Sequence, residues 1–572
     1  MKKVSLKVFS SILVISVLVG CNPTQKMIDN ATGVKYTVKP RILEMHGDEV
    51  AVSININYPA KYFNSAVILN LTPVIKSESG ETQLKSISVQ GDGVQANNKV
   101  ISFKTGGSLD YSDAVPYEEH MRVSDLILKI EADVKGKKVP FPEVKIADGV
   151  ITTPQLVEID PKPVILSDKF MRIKSTTKEA DIHYVISQAI VRNSELNQND
   201  IKALKDFLKK VEKAKNLELK KANLSAYASP DGPYDFNDKL SVRRKESAKQ
   251  YFDREFKKFN EAKAESFYSL KTTAEDWEGF KELVQKSDIQ DKDLILRVLS
   301  MYTDPVVREK EIKNMSAVYL KLADDILPKL RRSKLQLQVD EVGFSDDELF
   351  TYAFSKVDTL NEEELLHAAT LTDDLNKKLQ IYKNTTKKFP KSLRAHNNVG
   401  YVLIKQGKIK EAKSALEKAK GIDASNAVVM NNLGCISLLE GDFKGAKEIL
   451  TKATNAGDAA NYNLGIISIK EGDYESALNY LSSWSNSFNG ALTLLLADKR
   501  PNAKNILDKM EGAGAKAYYL KAVIGAQEKN GDYLFTNLKL AVSKDPSLKE
   551  KAKTDIEFEG FFDDSTFKSI VQ

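Results

Sequence analysis

At 572 residues, with 42% apolar and 29% charged side chains, the chain is too long for one hydrophobic core and divides into about three or four globular domains. Its 85 basic and 79 acidic side chains nearly balance, and half of the formal charge of +6 comes from Lys2, Lys3 and Lys7, which excludes a nucleic-acid footprint. Two cysteines, Cys21 and Cys435, exclude a disulfide framework; Cys435 sits in an apolar helical pattern and reads as a buried small hydrophobe.

The chain opens with Lys2 and Lys3, an apolar run from Val8 to Val19, and Leu18-Val19-Gly20-Cys21. A basic segment, a short apolar segment and a small-residue cleavage site make an export signal, because the run is too short to span a bilayer. Leu-x-Gly-Cys resembles the lipobox of bacterial lipoproteins. The resemblance implies a signal peptide over 1–20, diacylglycerol on the Cys21 thiol, acylation of the new amino terminus, and a linker over 21–33. Asn22-Pro23-Thr24-Gln25-Lys26 carries no acidic cluster of the kind that resembles surface-export signals, so the lipid-anchored chain is expected to face the periplasm.

Residues 34–162 read as β. Alternating or β-branched runs recur at 50–56, 66–71, 100–103 and 126–130, separated by Ser79-Gly80, Gly91-Asp92-Gly93 and Gly106-Gly107. A β-sandwich of two sheets is the economical expectation.

Residues 170–345 read as an α/β unit: strands near 182–186, 223–227, 268–272 and 335–339, helices over 200–214 and 241–259, and a helical insertion over 276–329. The loop after the second strand reads Ala226-Tyr227-Ala228-Ser229-Pro230-Asp231-Gly232, followed by Asn237, Leu240-Ser241 and Arg244. This resembles the peptidoglycan-binding domain of the outer-membrane protein A (OmpA-like) family over about 175–345, with its T-D-x-x-G then N-x-x-L-S-x-x-R, and the insertion resembles that of OmpA-like lipoproteins of the Bacteroidota.

In that family a loop Asp and a helix Arg hold the zwitterionic head of diaminopimelate, so the resemblance implies peptidoglycan binding by Arg244, Asp231, Ser229 and Asn237, and an outer-membrane location. Arg244 takes the Arg position. Ser229 takes the Asp position, with Asp231 two residues away across the stiff Pro230. Read from the residues alone, Arg244 pairs with Asp238 or Glu246 on a helix face, Asn237 turns the chain into a helix beginning near Ser241, and Trp277 and Phe280 are core.

Residues 358–572 read as helix after helix, and they repeat. Gly400, Gly434 and Gly465 are followed seven residues later by Gly407, Gly441 and Gly472, twelve later by Ala412, Ala446 and Ala477, and sixteen later by Leu416, Leu450 and Leu481. Small residues let two antiparallel helices approach while Leu fills the seam, and the pattern resembles tetratricopeptide (TPR) repeats, an all-α solenoid. Degenerate units are expected over 361–390 and 491–546, and 558–562 reads as a hydrophobic cap. TPR arrays bind proteins or peptides on a concave face, which by resemblance puts Asn397, Asn398, Asn431, Asn432, Tyr462 and Asn463 on a protein-binding groove; otherwise these Asn residues solvate a helix face.

The five histidines, His46, His120, His183, His367 and His396, are isolated. No metal-ligand spacing, nucleophile elbow, phosphate loop or calcium loop occurs, so no catalytic residue, metal or cofactor is expected. The expectation is a non-enzymatic multidomain α+β scaffold in an envelope assembly or secretion complex, touching peptidoglycan through its centre and a protein partner through its repeats. The alternative is a TPR scaffold whose OmpA-like domain is a protein-docking spacer.

Overall fold

A computed structural model describes residues 23–289, 292–314 and 316–572. The signal segment and Cys21 lie outside them. The described residues form two compact units, one drawn from 23–166 with 390–572, the other from 167–389. Among the described residues no helix is long and apolar enough to cross a membrane.

In the first unit, Glu49–Tyr58 shows how the β region is made: strict alternation buries Val50, Val52, Ile54, Ile56 and Tyr58 and leaves the residues between them exposed or, at Asn55, half-buried. Its buried face shares one core with Leu69 and Leu71 of Ile68–Lys76 and with Leu126 and Leu128 of Asp125–Val134. The expected two sheets are one continuous hydrogen-bonded sheet. Ile42–His46 pairs antiparallel with Glu49–Tyr58 and parallel with Val144–Ile151, joining the two ladders.

The helical array of this unit contains five helix pairs in register. They are Leu393–Lys405 with Ile409–Ile422, Ala427–Leu439 with Phe443–Thr451, Asp458–Lys470 with Tyr474–Tyr480, Phe488–Leu496 with Arg500–Lys509, and Ala515–Gln527 with Gly531–Lys544. The sixteen-residue Gly-to-Leu spacing is a contact. A Cβ on Gly400, Gly434 or Gly465 would stand 2.5, 2.5 or 2.6 Å from the side chain of Leu416, Leu450 or Leu481.

The seven-residue spacing is a backbone conformation. Gly407, Gly441 and Gly472 have φ of +72°, +81° and +76°, and Asp498 and Lys529 take the same left-handed region in the last two pairs. There Ala491 and Ala522 replace the helix glycine, sixteen residues before the buried Leu507 and Leu538. Phe558 and Phe567 close the far end of this core. The β region meets the array through the turn at Gly47: Asp48 pairs with Lys470 at 2.9 Å, and a Cβ on Gly472 would stand 2.7 Å from the Gly47 nitrogen.

The second unit is built on a mixed four-stranded sheet in the order Ile173–His183, Arg332–Val342, Leu217–Tyr227, Tyr268–Thr273, the last two parallel. The first strand starts well before the expected 182, because Ile173–Glu179 is exposed and gives no alternating signal. Asn199–Lys213 buries Ile201, Leu204, Leu208 and Val211 against the sheet core. The long helix is Tyr234–Phe256, starting a full seven residues before Ser241. Between Tyr268–Thr273 and Arg332–Val342, the inserted helices gather Phe280, Val284, Ile295, Leu299 and Leu322 into a core of their own, with Trp277 packed on it.

Candidate functional site

Two residues before the helix glycine or alanine of four repeats stands an asparagine: Asn398, Asn432, Asn463 and Asn489. All four are buried, and an unpaired buried amide costs about 1–3 kcal/mol, so each must find partners. They find them on residues 158–166, the extended segment that follows the β region.

Each asparagine closes two hydrogen bonds on the main chain of a single residue. The Glu158 N–H donates to Asn489 Oδ1 at 2.9 Å while Asn489 Nδ2 donates back to the Glu158 carbonyl at 2.8 Å. Lys162 and Asn463 do the same at 2.7 and 3.3 Å, Val164 and Asn432 at 2.7 and 2.7 Å, and Leu166 and Asn398 at 2.8 and 2.9 Å. An amide side chain carries one acceptor and two donors, which suits it to mimic a strand edge.

One position earlier stand Asn397, Asn431 and Tyr462, which form a second row. Asn397 and Asn431 donate to the carbonyls of Val164 and Lys162 at 3.2 and 3.0 Å. They also accept from Asn432 and Asn463 of the next repeat at 3.0 and 2.9 Å, so the amides orient one another across repeats. The Tyr462 hydroxyl donates to Asp160 at 2.6 Å. Lys162 Nζ sits 4.5 Å from the Tyr462 ring centroid and 5.7 Å from that of Trp484, with the Asp160 carboxylate 2.5 Å away.

The six residues singled out from sequence all line one surface, and what lies on it is the chain's own segment. Sequence reasoning missed Asn489, although its place two residues before Ala491 is the register of the other three. Cys435 lies beneath this row. Asn463 Nδ2 approaches its sulfur at 3.2 Å, and burial pushes the thiol up to about 12.

The loop of the second unit is arranged differently. Arg244 is 1% exposed, and its guanidinium donates to the carbonyls of Gln188 at 3.0 Å, Tyr227 at 2.8 Å and Val185 at 3.4 Å. Desolvation lowers its pKa to about 10. The expected pairing with Asp238 or Glu246 is not made, because the side chain points inward from the helix and over the Tyr184 ring.

Asp231 pairs with Arg331, which ends the helical insertion, at 2.8 Å. Ser229 Oγ donates to Asp231 at 2.5 Å and accepts from Arg331 Nε at 3.2 Å. Asn237 lies inside the helix rather than at its start, and its amide donates to the Ser229 and Gly232 carbonyls at 3.1 and 2.9 Å, pinning the loop. The four residues adjoin one loop, but Arg331, which sequence reasoning did not single out, holds its carboxylate. Among the described residues no cluster of three or more His, Cys, Asp or Glu side chains could hold a metal.

Two family models match. Residues 393–426 match the tetratricopeptide repeat, and residues 8–106 match a domain of unknown function (DUF3868). The helical array is thus built of tetratricopeptide repeats. No curated protein matches the chain. Among solved structures, the Pseudomonas aeruginosa protein pilF is 18% identical, with 38% of this chain and 98% of that one covered at a TM-score of 0.29. YrrB, described as a TPR protein with an unusual peptide-binding site, is 19% identical over 31% and 97% at 0.26. A tetratricopeptide repeat protein from Parabacteroides merdae is 16% identical over 49% and 99% at 0.27.

Proposed function

We propose that this chain is a lipid-anchored, non-enzymatic interaction scaffold of the outer membrane, facing the periplasm, whose tetratricopeptide array engages protein partners in an envelope assembly or secretion complex. The observation that carries the reading is the paired grip of Asn398, Asn432, Asn463 and Asn489 on main-chain N–H and C=O groups. A groove that reads main chain accepts polypeptide in extended form and little else. Anchoring at Cys21 is supported by the lipobox resemblance, and several acyl chains hold a protein on a membrane stably.

For the second unit we adopt the docking-spacer reading over wall binding. Its strand order, with one parallel and two antiparallel pairings, supports the OmpA-like resemblance of 175–345. Diaminopimelate needs a free guanidinium and a free carboxylate; Arg244 gives three donors to carbonyls, and Asp231 already holds Arg331.

Crosslinking in intact cells, followed by pull-down of the wild-type lipoprotein and of Asn432→Leu, tests the first reading: a partner recovered equally with both removes the groove from the function. Cys21→Ala is expected to leave the membrane fraction. The soluble protein is expected not to sediment with purified peptidoglycan. Sedimentation that is lost in Arg244→Ala reinstates wall binding.

A further inference from the structure

The segment 158–166 is held in an unusual way for a connection between two compact units. It belongs to no strand of either sheet, and its main-chain partners are asparagine side chains of the array. The prolines of this segment fall only where no asparagine needs an N–H. Glu158, Lys162, Val164 and Leu166 donate, while Pro161 and Pro163 lie between them. A shift by one residue would set a proline nitrogen, which cannot donate, against an asparagine carbonyl, so the prolines fix the register. Side chains add contacts of their own: Ile159 packs against the core of the array, Lys162 lies against Tyr462 and Trp484, and both Lys162 and Tyr462 meet Asp160.

The route of the chain adds a second point. The segment leaves the first unit at Leu166, directly after the last asparagine pair, and the chain returns to that unit at Pro390, directly before the repeat that holds Leu166. Pull on Ser167 therefore acts first on the Leu166–Asn398 pair, then on Val164–Asn432 and Lys162–Asn463 in turn.

Resting on the reading of the array as a grip for extended main chain, we propose that residues 158–166 are a resident ligand that keeps the groove closed. The partner it stands in for is an extended protein segment of the same chemistry, with free amides at its first, fifth, seventh and ninth residues, prolines at the fourth and sixth, and a basic residue two positions after an acidic one. Release begins at Leu166 and runs toward Glu158. A covalently linked occupant is present at an effective concentration in the millimolar range, so a free peptide making the same contacts is shut out at micromolar concentration.

The probe is a fluorescein-labelled synthetic nonapeptide with the sequence of residues 158–166, titrated by anisotropy against the full-length soluble protein. Val164→Pro deletes the N–H that Asn432 accepts while keeping the segment extended, and so weakens the resident ligand. The variant is expected to bind the probe at least tenfold more tightly than wild type, and changing the probe's lysine to alanine is expected to weaken that binding severalfold.

A second opening avoids changing the groove's occupant: protease sites inserted on both sides of it, between Val157 and Glu158 and between Ser167 and Asp168, cut in the folded protein, turn it into a free peptide that the probe can displace, and are expected to raise probe binding in the same way. Equal binding to wild type and to both opened forms overturns the closure and leaves the grip standing. Binding to neither opened form overturns the grip itself, and with it the closure. Binding that survives Asn432→Ala in the cut protein places the probe outside the groove and overturns the proposal.

Discussion

The tetratricopeptide groove and the Ser229–Gly232 loop both bury polar side chains against main-chain atoms, but they draw their partners from opposite distances. Asn432 reaches a carbonyl 268 residues away in sequence, whereas Arg244 reaches one 17 residues back and others fewer than 60 away. The groove recruits a segment remote in sequence. The loop is closed by its own neighbours and by Arg331. The difference shows why a charged or amide residue in a recognisable motif does not declare its role: the role lies in whichever donor or acceptor reaches it.

Loss of a groove asparagine is expected to cost the most. Asn432→Leu keeps the volume but takes the partners of the Val164 N–H and of Asn397 Oδ1 and leaves the Val164 carbonyl to Asn397 alone, at a cost of about 2–6 kcal/mol if both orphaned groups stay buried. Hydrogen exchange should report it locally, with the Val164 and Lys162 amides losing protection before the β region does. Unchanged protection at Val164 would show that the segment is held by its side chains.

Arg244→Met is the matching break in the loop. It leaves three carbonyls short of a donor and is expected to cost about 2–4 kcal/mol of urea stability in the second unit. The groove residues should keep their protection. If Arg244→Met instead leaves stability unchanged, its guanidinium is free for a ligand.

The glycines separate two causes within one repeat register. Gly407 and Gly472 share a left-handed backbone, but a Cβ on Gly407 meets open space while one on Gly472 meets the backbone of His46 and Gly47. Gly407→Ala is expected to cost about 1–2 kcal/mol from conformation alone. Gly472→Ala adds overpacking of about 1–3 kcal/mol and should loosen the β region from the array. Equal thermal shifts would mean that the Gly47 turn yields without cost.

Much of the array was legible because its physics is local and periodic. Gly400 and Leu416 touch for the reason their spacing implied, and the asparagines share one face because a helix repeats. Asn489 escaped notice because its repeat has Ala491 where the others have glycine. The occupant of the groove was illegible for a different reason: 158–166 has prolines and no periodicity, and its partners lie hundreds of residues away. Nor could sequence reveal that Arg244 turns inward, since the carbonyls of Val185, Tyr227 and Gln188 are backbone atoms that no residue type announces. The strand Ile173–His183 was placed short because an exposed strand carries no alternation.

How the β region and the array are joined within the first unit depends on pH. Glu557 accepts from Gln527 at 3.2 and 3.0 Å and from Thr153 at 2.7 Å, linking the end of the array to the stretch that follows the last β-region strand. Burial raises its pKa to about 7, against the donors, which lower it. A carboxyl whose folded pKa is raised holds its proton longer in the folded chain than in the unfolded one. Its contribution is therefore fully present below the unfolded value of about 4.3 and is lost as pH climbs to about 7. Glu557→Gln keeps a neutral side chain at every pH, so its urea midpoint relative to wild type should rise between pH 4.5 and 7 and then level off. A difference that is flat across that range would mean that the Gln527 and Thr153 donors, rather than burial, govern this carboxyl.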